Sequence, residues 1–154
     1  MRLYLVQHGE AKPESVDPDR SLTDKGRHDV EKITSFMRPM GLSVRSMWHS
    51  GKTRAVRTAE LLASGLTPVE GILQRDDLAP NHPIEPVKRD ILDEAEDIAI
   101  VGHLPFLSKL SASLVTGREL PEVIAFRQGG IVSIEQGEDQ AWRVAWMIVP
   151  EILF

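Results

Sequence analysis

The chain has 154 residues, 42% hydrophobic and 27% charged, a balance that fits one folded domain over residues 1–154 and excludes a disordered chain. With 18 Lys plus Arg against 23 Asp plus Glu, the formal net charge is -5, so the overall basic footprint that nucleic acids or anionic membranes require is missing, and neither partner is expected. The absence of cysteine removes disulfides, thiolate metal sites and a cysteine nucleophile.

No stretch approaches the roughly 20 apolar residues of a membrane span. The opening Met1-Arg2-Leu3-Tyr4-Leu5-Val6 is too short for a signal peptide, so a cytoplasmic location is expected. Leu3 to Val6 predicts a buried strand that ends in His8-Gly9. Val30, Ile33, Met37 and Met40 recur at helical spacing, with Thr23 as N-cap and Pro39 and Gly41 at the end. Val44 to Trp48 predicts a second strand. Ala55, Ala59 and Leu62 form the inner face of a second helix that stops near Gly65.

Pro68 to Leu73 predicts a third strand, Ile84 to Ala95 a helix with Val87, Ile91 and Ala95 inward, and Ile98 to Val101 a buried strand leading into Gly102-His103. Leu107, Leu110 and Leu114 line a further helix that ends at Gly117. Ile131 to Glu135 and Trp142 to Ile148 close the chain as a strand pair around Gly137. Gly117 to Gly130 is expected to connect elements rather than to border a site. The alternation of strand and helix predicts an α/β fold, a three-layer α/β/α sandwich with a mainly parallel sheet and helices on both faces.

In such sheets ligands gather at the carboxyl ends of the strands, and His8, His103 and the Ser50 to Arg54 turn converge there. Arg20 is a fourth candidate from a distant stretch. Two histidines and two arginines suit a phosphate. Guanidinium supplies fixed charged donors, and a neutral imidazole is a nucleophile. Phosphoryl transfer asks mainly for positioning and charge neutralisation, so no metal or other cofactor is expected. His28, His49 and His82 read as structural. Gly51-Lys52-Thr53 matches only the end of a P-loop, because Ser46 stands where the first glycine is required.

Val6-Gln7-His8-Gly9-Glu10-Ala11 resembles the RHGEA signature of the histidine phosphatase superfamily, and Arg20-Ser21-Leu22-Thr23-Asp24-Lys25-Gly26 resembles its R-x-L-T-x-x-G segment. Ser50-Gly51-Lys52-Thr53-Arg54-Ala55-Val56-Arg57-Thr58-Ala59 is similar to S-P-x-x-R-A-x-x-T-A, and Gly102-His103-Leu104-Pro105 to G-H-x-P. Order, spacing and short length resemble most the small bacterial SixA-type phosphohistidine phosphatases. The resemblance implies a phosphoglycerate mutase-like fold and His8 as a nucleophile that forms a phosphohistidine intermediate. It also implies that Arg54 and His103 hold the phosphoryl oxygens, with Arg20 and Gln7 as further phosphate-binding residues.

Two positions depart from the pattern. Gln7 stands where the family has arginine, and Gly51 where it has proline. A neutral hydrogen bond contributes about half of a charge-assisted one, so weaker phosphate binding is expected. Asp77 stands in the place most similar to the acid loop of larger relatives and is the candidate general acid. The expected substrate is a phosphorylated protein, such as a histidine phosphotransfer domain, with phosphate as product. The alternatives are a phosphatase of small phosphomonoesters and a noncatalytic phosphate- or phosphoprotein-binding module.

Overall fold

Leu3 and Leu5 of Arg2–Gln7 (β1) point into one hydrophobic core and Tyr4 and Val6 into another, the two-sided burial of a strand covered by helices on both faces. The computed structural model describes residues 1–154. Ile98–Gly102 (β6) repeats the pattern, with Ile98 and Ile100 in the first core and Ala99 and Val101 in the second. Asp24–Met37 (α1) and Thr53–Leu62 (α2) cover the second core through Ile33, Met37, Ala55, Ala59 and Leu62. Glu85–Asp93 (α3) and Phe106–Thr116 (α4) cover the first through Val87, Ile91, Phe106, Leu107 and Leu110, but α3 stops at Asp93, so Ala95 lies past its end and is exposed rather than inward.

The remaining strands are Leu42–Val44 (β2), Ser46–His49 (β3), Leu66–Pro68 (β4), Ile72–Gln74 (β5), Ile131–Gln136 (β7) and Trp142–Ile148 (β8). The main sheet runs β5-β3-β6-β1-β7-β8, parallel from β5 to β1 and antiparallel across β7 and β8. This is the predicted three-layer α/β/α sandwich. No helix is long and apolar enough to cross a membrane.

Thr23 caps α1 as its spacing predicts, accepting a hydrogen bond from Gly26 N at 2.9 Å; such a cap contributes about 1 kcal/mol. Two predicted strands are each divided in the structure. Val44 to Trp48 breaks at Arg45, because Val44 belongs to β2, which pairs with β4 in a separate two-stranded sheet, whereas Ser46 starts β3 in the main sheet. Pro68 to Leu73 breaks at a turn closed by Gly71 N donating to Pro68 O at 3.1 Å, so its halves also serve different sheets.

Candidate active site

β1 and β6 are neighbours with Gln7 opposite Gly102, so the residues that follow them emerge side by side at the sheet's carboxyl edge. These are His8 and His103, whose ring centroids lie 5.0 Å apart with planes inclined by 51°. The ladder continues into the turn, since His8 N donates to Gly102 O at 3.0 Å. Gly9 N donates to the Thr58 hydroxyl at 3.0 Å, which in turn donates to Arg54 O at 2.8 Å. The His8–Gly9 turn and the first turn of α2 are thereby tied to each other.

His8 Nδ1 lies 2.7 Å from Gly9 O. A carbonyl oxygen only accepts, so Nδ1 carries the proton and Nε2 keeps its lone pair. Burial, reinforced by the charges of Arg54 and Arg20, outweighs that hydrogen bond and pushes the His8 pKa down to about 4. The His103 pKa is pushed down to about 3, first by burial and then by His8, Arg54, Lys52 and Arg20. Both rings are neutral at pH 7.

Arg54 is the second residue of α2, at the end where the helix dipole and unpaired N–H groups favour an anion. Burial lowers its pKa, with Arg20 adding to the effect. Arg20 lies in a loop fastened by Lys12 N to Ser21 O at 2.8 Å, and its Nε donates to Lys12 O at 3.2 Å. Its φ of 49° is left-handed, a conformation that costs a non-glycine residue on the order of 1 kcal/mol and that clusters at functional sites. Asp17 holds it there, accepting hydrogen bonds from Asp19 N, Ser21 N and the Ser21 hydroxyl. Neither Arg20 nor Arg54 belongs to any of the molecule's ion pairs. Two uncompensated guanidiniums beside two neutral imidazoles are chemically suited to an anion.

The five buried side-chain polar atoms without a protein partner include Gln7 Oε1, Arg54 Nε and His103 Nδ1, all three from this cluster. Such atoms are rare in native proteins, and three of the five fall in this one cluster.

Asp77 is placed as an ion-paired carboxylate. Arg75 donates to it from Nε at 2.9 Å and from a terminal nitrogen at 2.7 Å, and this holds its carboxyl below the usual range, so it has no proton to give near neutrality. Arg75 is fixed in turn by Asp90 at 2.7 Å and by stacking 4.6 Å over Trp48. Gly51 has a φ of 83°, which proline cannot adopt, so the turn after β3 differs in path from one built on Ser-Pro. Ser50 was not among the expected site residues; its Oγ lies 2.6 Å from His103 Nε2. The stretch Gly117 to Gly130 does more than connect, since Gly129 N donates to Gln7 O at 2.9 Å and to His8 O at 3.2 Å.

The sequence model of the histidine phosphatase superfamily (branch 1) matches residues 3–79, half of the chain. The mitochondrial serine/threonine-protein phosphatase PGAM5 of Mus musculus is 32% identical over 85 residues, a match that covers 54% of this chain but 29% of that protein. An uncharacterized protein of Picosynechococcus sp. is 28% identical over 145 residues, covering 89% of this chain and 86% of its own. The fold is that of the protein histidine phosphatase SixA complexed with tungstate, with a TM-score of 0.85 at 19% identity over 99% of both chains. Bacillus stearothermophilus YhfR has a TM-score of 0.68 at 22% identity, covering 94% of this chain and 95% of its own. A phosphoserine phosphatase mutant from Entamoeba histolytica, in complex with phosphoserine, has a TM-score of 0.70 at 15% identity over 99% of both chains.

Proposed function

This chain belongs to the histidine phosphatase superfamily, and from that premise we propose that it removes the phosphoryl group from phosphohistidine carried on a cytoplasmic protein, such as a histidine phosphotransfer domain. The observation that carries the reading is the state of His8: its Nδ1 is committed to Gly9 O, its Nε2 lone pair is free, and two uncompensated guanidiniums act on it. His8 Nε2 attacks phosphorus, the substrate's P–N bond breaks, and its electron pair leaves on the substrate imidazole, which takes up a proton. Arg54 and Arg20 neutralise the transferring oxygens while Gln7 and His103 donate to them. Water then attacks the phosphorylated His8, the new P–N bond breaks, and inorganic phosphate leaves with His8 restored.

Asp77 favours the phosphoramidate over an ester. An imidazole can be protonated before it departs, whereas an alkoxide needs an acid at the moment of cleavage, and Asp77 is ion-paired. The chain is also similar to PGAM5 and shares its fold with a phosphoserine phosphatase, which keeps a small phosphomonoester as the second reading.

The test is to quench the protein during reaction with a ³²P-labelled phosphohistidine domain and with a labelled aryl phosphate. The expected result is an acid-labile, base-stable label on the wild type from the phosphoprotein, absent in His8→Ala. Turnover of the aryl phosphate alone selects the ester reading. Phosphate binding without label or turnover selects a noncatalytic module.

A further inference from the structure

The two histidines of the site leave different nitrogens free. His8 commits Nδ1 to a carbonyl and leaves Nε2; His103 commits Nε2 to the Ser50 hydroxyl at 2.6 Å and leaves Nδ1 without a protein partner. Nδ1 is therefore the one His103 nitrogen that can meet a ligand in this arrangement. It shares its unpartnered state with Arg54 Nε, a donor of the same cluster.

An anion in this cluster accepts hydrogen bonds and offers none, so a nitrogen that faces it has to carry a proton. A neutral imidazole has only one. If Nε2 held it, Nδ1 would present a bare lone pair to phosphoryl oxygen, a repulsive contact in a buried place. For Nδ1 to hold it, Nε2 must be the acceptor and Ser50 the donor. Ser50 is free to do this: its hydroxyl proton is not given to any other acceptor, and Lys52 N approaches its Oγ as a donor at 3.4 Å. Ser50 is itself buried and sits at the end of β3, the strand paired with β6 that carries His103, so the pair is fixed by sheet register rather than by a mobile loop.

We propose that Ser50 is a positioning residue that donates its hydroxyl proton to His103 Nε2 and so fixes the tautomer in which His103 Nδ1–H binds the phosphoryl oxygens. The site then holds two neutral histidines of the same tautomer put to opposite uses. In His8 the Nδ1 proton is spent on Gly9 O to bare the nucleophile, and in His103 it is kept for the anion. The inference rests on the phosphate-site reading of the cluster but not on turnover, because tautomer and anion affinity are measured without a reaction.

The test is ¹⁵N NMR of histidine-labelled protein at pH 7, with the His103 signals assigned by their loss in His103→Asn. Inorganic phosphate affinity is measured in parallel for wild type, Ser50→Ala and Ser50→Thr. The expected result is a protonated Nδ1 and an acceptor-type Nε2 at His103 in the wild type. Ser50→Ala should shift His103 toward the Nε2–H form and weaken phosphate binding about tenfold, the worth of one well-placed hydrogen bond, while Ser50→Thr keeps both properties. A wild-type His103 protonated at Nε2 overturns the proposal, and that arm needs no variant to fold. So does an unchanged tautomer in folded Ser50→Ala. Phosphate binding with the expected tautomers but no turnover overturns the phosphatase reading and leaves this one standing.

Discussion

His8 and His103, from strands that are neighbours in the sheet but distant in sequence, face each other at 5.0 Å and are both held neutral by burial and by the arginines around them. An imidazolium formed on either would sit beside the other ring and two guanidiniums with no carboxylate in the ion-pair set to compensate it. The neutrality of His8 is thus a property of the pair and its surroundings rather than of His8 alone.

The pH dependence follows. The folded values, about 4 for His8 and about 3 for His103, lie below the unfolded value near 6.5, so on acidification the unfolded chain takes up protons first. Their contribution to stability is full above roughly pH 6.5 and is lost as pH falls toward the folded values, with a slope of up to about 2–3 kcal/mol per pH unit for the two together. Urea unfolding at pH 8, 6.5 and 5 should show this loss, and proton NMR titration should find neither ring charged at pH 5.5. A midpoint near 6.5 for His8 would contradict the burial argument.

Asp77→Asn separates the ion-pair role from an acid role. A general acid contributes about 10²- to 10⁴-fold, whereas a carboxylate held by Arg75 with no proton to lose contributes to the local structure alone. Release of phosphate from a phosphohistidine domain should stay within about threefold of wild type, and unfolding should cost no more than roughly 1 kcal/mol, as for a partly exposed ion pair. A hundredfold fall in kcat with KM unchanged would return Asp77 to the acid role.

Gln7→Arg tests what the missing charge costs. A glutamine amide that turns its NH₂ toward an anion gives one neutral hydrogen bond, where a guanidinium gives a charge-assisted one. Phosphate affinity measured by calorimetry should rise about tenfold in the variant. An unchanged affinity would mean that position 7 does not face the anion.

The parts of the fold that could be read from sequence were those where one physical signal dominates. Unbroken apolar runs at Leu3 to Val6 and Ile98 to Val101, each followed by a glycine and a histidine, announced the central strands and the two site histidines. Arg45 and the turn at Gly71 were invisible, because both lie inside runs whose polarity suits one strand, and only pairing with different sheets divides them. The Ser50 role was hidden for another reason: a serine in a turn carries no signal until the sheet register sets its hydroxyl against His103. The pairing of Asp77 was hidden as well, because Arg75, two residues away, meets its carboxylate only once the turn between them has formed.

Gly26→Ala is expected to damage the site from a distance. A Cβ at position 26 would stand 2.1 Å from Glu10 O and 2.8 Å from Glu10 N, backbone atoms of the turn that follows His8. That turn is bound on its other sides by Gly9 N to the Thr58 hydroxyl and Thr23 N to Glu10 O at 3.0 Å, so it cannot yield without moving the His8–Gly9 hydrogen bond that bares Nε2. Overpacking of this kind costs typically about 1–3 kcal/mol. The variant should lose stability in that range and lose kcat with it, whereas Gly41→Ala, whose Cβ meets nothing within 4 Å, should lose stability through its left-handed φ of 63° but keep kcat. A Gly26→Ala protein with wild-type kcat would show that the turn after His8 does not set the nucleophile.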